Sequence, residues 1–203
     1  MKRVEFFIDG FNLYHAIAGN PRLRKYKWLD LTKLVTCYTK TTDQIVGVNY
    51  FTSYVTWAPD KLNRHQTYTS ALMYKGAKII LGNFKIRDKV CRICHKTYQI
   101  PEEKQTDVNI AIKLFQSAVR NNYDTAVIVS GDTDLVPAVD AVRETFPVKE
   151  IGVVIPIGRR ADLLKDAAHF HMKMKEKRLA SSLFPDEIEI GEGRRIIKPS
   201  SWI

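Results

Sequence analysis

Apolar and polar residues alternate along this chain in two rhythms. Short β-rich apolar runs at residues 3–8, 45–57, 77–81, 125–129 and 150–155 predict strands. The run at 125–129 is almost wholly apolar, as expected of a strand covered on both sheet faces. Between these runs, helical spacing predicts helices at 12–18, 29–38, 61–74, 107–119, 135–144 and 160–168. Pro59-Asp60 marks the start of the third, because proline suits the first helical turn. In the fourth, Ile110, Leu114 and Ala118 lie on one broad apolar face. Strands alternating with helices give an α/β architecture. A brief apolar stretch follows around Phe170. Residues 83–100 alternate differently, are basic and hold two cysteines, which predicts a hairpin excursion. From residue 184, proline, glycine and charge dominate, so residues 181–203 are expected to form an extended tail on a domain spanning 1–180.

Composition narrows the class. The 203 residues are 45% hydrophobic and 27% charged, which fits one globular domain and not a disordered chain. No run approaches the ~18 apolar residues of a membrane span. The N-terminal stretch carries Glu5 and Asp9 and lacks the apolar core of a signal peptide. Three cysteines are too few for a disulfide scaffold, so a cytoplasmic protein without membrane contact is expected. The net charge of +10 is unevenly spread. Residues 1–106 carry 18 Lys+Arg against 8 Asp+Glu, whereas residues 107–203 carry 14 of each. The surplus is densest around Arg22, Arg24, Lys25 and Lys27, and around Lys85, Arg87, Lys89, Arg92 and Lys96. Such segments suit a polyanion such as nucleic acid, or simply a solvated face; charge alone does not separate the two.

The acidic residues that matter stand at strand ends. Asp9 follows the first strand, Asp132 and Asp134 follow the strand at 125–129, and Asp107 starts the fourth helix. In a parallel α/β sheet, strand C-termini share one edge, and crevices there bind ligands. If the two strands are neighbours, these carboxylates converge. Clustered carboxylates repel unless a cation is present or their pKa values rise. A hard ion such as Mg²⁺ or Mn²⁺ suits oxygen ligands and can activate water or steady a leaving oxygen. Asn12, Ser130 and Thr133 are placed to orient groups around it. Each aspartate also has a plainer explanation: Asp107 and Asp134 as helix caps, Asp9-Gly10 as turn chemistry.

Three stretches occur together: Phe7-Ile-Asp-Gly-Phe-Asn12, Glu103-Lys-Gln-Thr-Asp-Val-Asn-Ile-Ala111 and Tyr123-Asp-Thr-Ala-Val-Ile-Val-Ser-Gly-Asp-Thr-Asp-Leu135. In order and spacing the chain resembles the NYN domain family of PIN-like nucleases, in its bacterial LabA-like branch. The resemblance implies a three-layer α/β/α fold around a mainly parallel sheet. It implies that Asp9, Asp107, Asp132 and Asp134 bind metal, with Asn12 shaping the site. It implies metal-dependent cleavage of RNA. Glu103 and Lys104 match the pattern without an assigned role.

Cys91-Arg-Ile-Cys94-His95 spells a haem-attachment motif, but the chain lacks the export signal such proteins carry. Zinc would need further ligands beyond Cys91, Cys94 and His95. His65 and Cys37 are candidates, and a homodimer giving one pair from each chain is another solution. A reduced cysteine pair on a basic hairpin is the plainer state. Tyr26, Trp28, Phe84 and Tyr98 interleave with the basic segments, as in single-strand RNA binding, although Trp28 reads as core. His169 and His171 read as strand or loop positions, and the 173–178 basic run as a solvated face. The expectation is therefore a divalent-metal ribonuclease with RNA as partner. Its rivals are a non-catalytic nucleic-acid-binding module and a small-molecule phosphohydrolase.

Overall fold

The computed structural model describes residues 1–202; Ile203, the last residue of the expected tail, lies outside the described residues. The chain runs through β1 (Arg3–Asp9), α1 (Gly10–Ala18), α2 (Leu31–Thr36), β2 (Gln44–Thr52), α3 (Pro59–Tyr74), β3 (Lys78–Leu81), β4 (Asn83–Val90) and β5 (Thr97–Lys104). It continues through α4 (Thr106–Val119), β6 (Thr125–Val129), α5 (Val136–Thr145), β7 (Glu150–Ile155), α6 (Asp162–Ala167), β8 (Phe170–Lys173), α7 (Glu176–Ala180), β9 (Glu187–Glu189) and β10 (Arg195–Ile197). Turns of 3₁₀ helix cover Pro21–Tyr26 and Thr133–Leu135.

Among the described residues the main sheet has six strands in the order β3-β2-β1-β6-β7-β8, every pairing parallel. The β-branched and aromatic residues of β1 alternate between two cores. Val4, Phe6 and Ile8 face the layer built by α1, α2, α3 and the C-terminal segment, while Phe7 faces α4, α5 and α6. These are the three layers expected. β1 leads leftward to β2 and β3, and β6 leads rightward to β7 and β8. The direction of winding therefore reverses between β1 and β6, where an α/β sheet leaves a crevice.

Local differences have identifiable causes. The second strand ends at Thr52 and not at residue 57, since the chain turns away toward Pro59, which opens α3. The second helix shortens to Leu31–Thr36 because the Asp30 side chain caps it, accepting the Lys33 N–H at 3.1 Å. The hairpin expected over residues 83–100 is antiparallel, β4 with β5, and extends to Lys104.

The C-terminal segment is extended in outline yet packs as core. Trp28 Nε1 donates to the Pro185 carbonyl at 2.8 Å, and the Phe184 N–H donates to the Trp28 carbonyl at 3.1 Å. Phe184, Ile188 and Trp202 are buried, with Trp202 lying edge-on to Trp28 and Tyr68 at 6.2 and 5.6 Å. Isolated apolar residues separated by proline and glycine have no period for a pattern reading to detect.

Candidate metal centre and adjoining cavity

Asp9 and Ser130 sit at the ends of adjacent strands, since Ile8 pairs with Val129 across β1 and β6. Ser130 Oγ donates to Asp9 Oδ2 at 2.7 Å, and the Asn12 N–H donates to Asp9 Oδ1 at 2.9 Å. Asn12 Oδ1 accepts the Gly131 N–H at 3.0 Å, tying the first turn of α1 to the loop after β6. The Asp132 N–H donates to Ser130 Oγ at 3.0 Å, and Asp132 Oδ1 accepts the Asp134 N–H at 3.0 Å. One network thus orients Asp9, Asn12, Ser130 and Asp132. Thr133 enters it only as the first residue of the following 3₁₀ turn.

Gly10 is part of this geometry. It is the first residue of α1, and a Cβ there would come within 2.5 Å of the Phe51 carbonyl oxygen and 2.7 Å of the Tyr50 ring. Asp9-Gly10 is therefore a close approach of α1 to β2 and not turn chemistry. Asp9 itself both caps α1 and faces the crevice.

Asp107 approaches from the other layer. It lies in the first turn of α4, whose N-cap position is Gln105 at φ 77°, so Asp107 is not the helix cap. Carboxylate oxygens of Asp9, Asp107 and Asp132 all lie within 4.8 Å of one another. Asp134 is exposed and stands outside this trio; it reaches Asp107 through charge alone. Burial, then the charges of Asp9, Asp132, Glu103 and Asp134, push the Asp107 carboxyl up to about 6. Asp9 is raised as well, chiefly by burial, against the lowering effect of the Asn12 and Ser130 hydrogen bonds. Three oxygen donors drawn together against their repulsion form a set suited to a hard divalent cation.

Sequence reasoning gave Glu103 no role. Its carboxylate accepts from Ser53 Oγ at 3.1 Å and from Thr106 Oγ1, which fixes it beside the aspartates. It also lines a cavity of about 720 Å³ that the sequence did not reveal. Phe11, Tyr14, Trp57 and Phe84 contribute rings to its wall, and Lys27, Lys61 and Arg64 contribute cations. The available signal was the spacing of Lys61, Arg64 and His65 on one face of α3 just after Trp57. His65 is half-buried there with Nε2 3.1 Å from Thr52 Oγ1, and desolvation lowers it to about 4. It is thus removed from the cysteines.

The expected RNA-contacting residues divide into two groups. Arg22 pairs with Glu176 at 3.0 Å, Arg24 Nε donates to the Ala18 carbonyl at 3.0 Å, and Lys25 covers the Tyr26 ring. Arg87 and Lys89 both pair with Glu102, at 3.4 and 3.2 Å. Lys85, Arg92 and Lys96 are exposed on the hairpin and make no ion pair among the described residues. Tyr26 and Trp28 are core, so neither offers a stacking face; Tyr98 is exposed and Phe84 faces the cavity. His169 Nδ1 accepts the Ile151 N–H at 3.0 Å, a structural contact. Cys91, Cys94 and His95 occupy the hairpin tip, and no third ligand joins the two sulfurs among the described residues.

The profile of the NYN domain matches residues 3–174. The chain belongs to the NYN domain family. This NYN domain is also 30% identical, over 243 aligned residues, to a protein of Pseudomonas putida (strain DSM 28022 / S16) named 6-hydroxy-3-succinoylpyridine 3-monooxygenase HspA. The match covers 98% of this chain and 75% of that relative. A solved structure of a protein of unknown function from Vibrio parahaemolyticus RIMD 2210633 superposes with a TM-score of 0.63 at 16% identity. It covers 90% of this chain and 96% of the other, a likeness of fold. No helix among the described residues is long and apolar enough to cross a membrane.

Proposed function

We propose that this NYN domain hydrolyses RNA phosphodiester bonds with Mg²⁺ or Mn²⁺ held by Asp9, Asp107 and Asp132. The supporting observation is the convergence of three carboxylates, from two layers of the fold, at the point where the sheet reverses its winding. When bound, the ion supplies Lewis acidity toward the phosphate and lowers the pKa of the attacking water. The chain's own residues prepare the site. Ser130 and the Asn12 amide fix the two oxygens of Asp9, while Asn12 Oδ1 holds the loop that presents Asp132. Asp107 would hold the ion from the α4 layer, and Asp134 adds negative charge from outside the trio. The exposed cations of the hairpin, Lys85, Arg92 and Lys96, hold the RNA backbone through phosphate contacts.

The test is cleavage of end-labelled RNA with Mg²⁺ or Mn²⁺ by the wild type and by Asp132→Asn. The wild type should cleave, and the variant should remain folded with activity reduced at least ~100-fold. Salt-sensitive binding without cleavage under either ion would make the protein a binding module. Turnover of nucleotides or phosphate esters without affinity for RNA would make it a phosphohydrolase.

A second reading rests on the cavity. Its volume of about 720 Å³, with aromatic walls and the cations Lys27, Lys61 and Arg64, suits a small heteroaromatic acid. The Pseudomonas relative is named for oxygenating a compound of that kind. A monooxygenase places one atom of dioxygen in its product, and an added two-electron donor reduces the other to water. Oxygen consumption on adding such an acid and a reductant, with RNA left intact, would favour this reading over the first.

A further inference from the structure

We propose that the Cys91–Cys94 turn is half of a tetrahedral zinc site, completed by the same turn of a second copy of this chain. The tip of the hairpin is built for it. The Cys91 N–H donates to the Lys96 carbonyl and the His95 N–H to the Cys91 carbonyl, both at 2.9 Å, so the turn is closed by its own backbone. His95 takes φ 54°, the left-handed conformation that lets the chain double back directly after the second cysteine. Zinc is ligated by the thiolate form of cysteine. Both cysteines are free thiols, Cys91 partly buried and Cys94 exposed.

A structural zinc site takes four donors, and this turn supplies two. Cys37 caps the C-terminus of α2, and His65 is engaged with Thr52 inside the cavity. The one group of three or more ligating side chains among the described residues is the aspartate trio. A second copy related by a two-fold axis would present the same pair, giving four sulfurs around one ion lying on that axis.

The rest of the hairpin fits this partner. Ile86 and Val90 flank the exposed Asp88 on the face of β4 that carries Phe84, and Ile93 stands at the tip. Phe84 turns inward against Trp57 and Phe11, but Ile86, Val90 and Ile93 are 60%, 59% and 92% exposed. A protruding two-stranded ribbon gains little stability alone, and burying this stripe against its twin would supply more. The opposite face holds Lys85, Arg87 and Lys89, of which Arg87 and Lys89 gather around Glu102. Two basic hairpins repel, and the ion offsets this: Zn²⁺ with four thiolates carries two negative charges beside the Arg92 and Lys96 of each copy. On binding, four thiol protons pass to solvent and no electron moves.

The site does not depend on the aspartate trio and is tested without any activity measurement. The full chain, purified under reducing conditions without chelator, is analysed for metal content and for mass by sedimentation. The expected result is one zinc per two chains in a dimer that dissociates when a chelator removes the ion. Cobalt in place of zinc should give the charge-transfer and d–d bands of tetrahedral thiolate coordination. Cys91→Ser and Cys94→Ser should both be monomeric and zinc-free, with circular dichroism close to the parent's and a thermal midpoint close to that of the chelator-treated parent. One zinc per monomer, a dimer that survives metal removal, zinc-free protein with two reduced thiols, or a Cys91–Cys94 disulfide would each overturn the proposal.

Discussion

Asp107 records the tension of the site most clearly. With its carboxyl raised from 3.8 to about 6, the folded state binds a proton more tightly there than the unfolded chain does. Without metal, this residue costs nothing below the unfolded value, and the cost grows as pH rises from about 4 to about 6. Asp107→Asn should therefore be more stable than the wild type at pH 7.5, on the order of 1 kcal/mol once solvent screening is allowed for, and equal to it near pH 3. The same variant should lose the rise in thermal midpoint on adding Mn²⁺. In the wild type that rise should be larger at pH 7.5 than at pH 5, where protons compete for the carboxylate. A variant less stable than the wild type at neutral pH would contradict the repulsion described here. Asp9 and Asp132 were legible in the sequence because each follows an apolar run directly. That Asp107 joins them while Asp134 stays outside depends on how α4 docks, which neither spacing nor periodicity encodes.

Among the elements, the β4–β5 hairpin carries the most distinctive chemistry. Its alternation and charge announced a hairpin, but which cations are available is decided by Glu102, which engages Arg87, Lys89 and Lys104. Lys85, Arg92 and Lys96 make no ion pair among the described residues, and under the proposed function they meet phosphate. Replacing these three with alanine should weaken RNA binding and lower the slope of log affinity against log salt by about 2–3, while Arg87→Ala should change it by less than about 1. Filter binding across a salt series measures both, and equal slopes would remove the hairpin from the RNA surface. Residues 22–27, equally basic in sequence, form a 3₁₀ turn whose Arg22 is committed to Glu176 and whose Tyr26 is buried. Composition marks where charge lies; packing determines which charges are available.

Across the whole molecule, the α/β architecture could be read because strand and helix periods are strong and local. The contribution of the C-terminal segment could not, since Phe184, Ile188 and Trp202 meet Trp28 and Tyr68 only through the tertiary fold. Trp202→Ala should cost about 3 kcal/mol in urea denaturation, the scale of a large buried aromatic. A loss below about 0.5 kcal/mol would mean that the segment merely rests on the surface. Through Trp202 and Ser201 this segment also lines the cavity beside Glu103 and so borders the proposed active edge. The most direct test of the central claim is a crystal structure of the wild-type protein soaked in Mn²⁺ at pH 7.5, with anomalous scattering locating the ion. The account predicts a peak bounded by Asp9, Asp107 and Asp132, with Asp134 outside the ligand set. No peak there, or a peak with these carboxylates turned away from it, would contradict it.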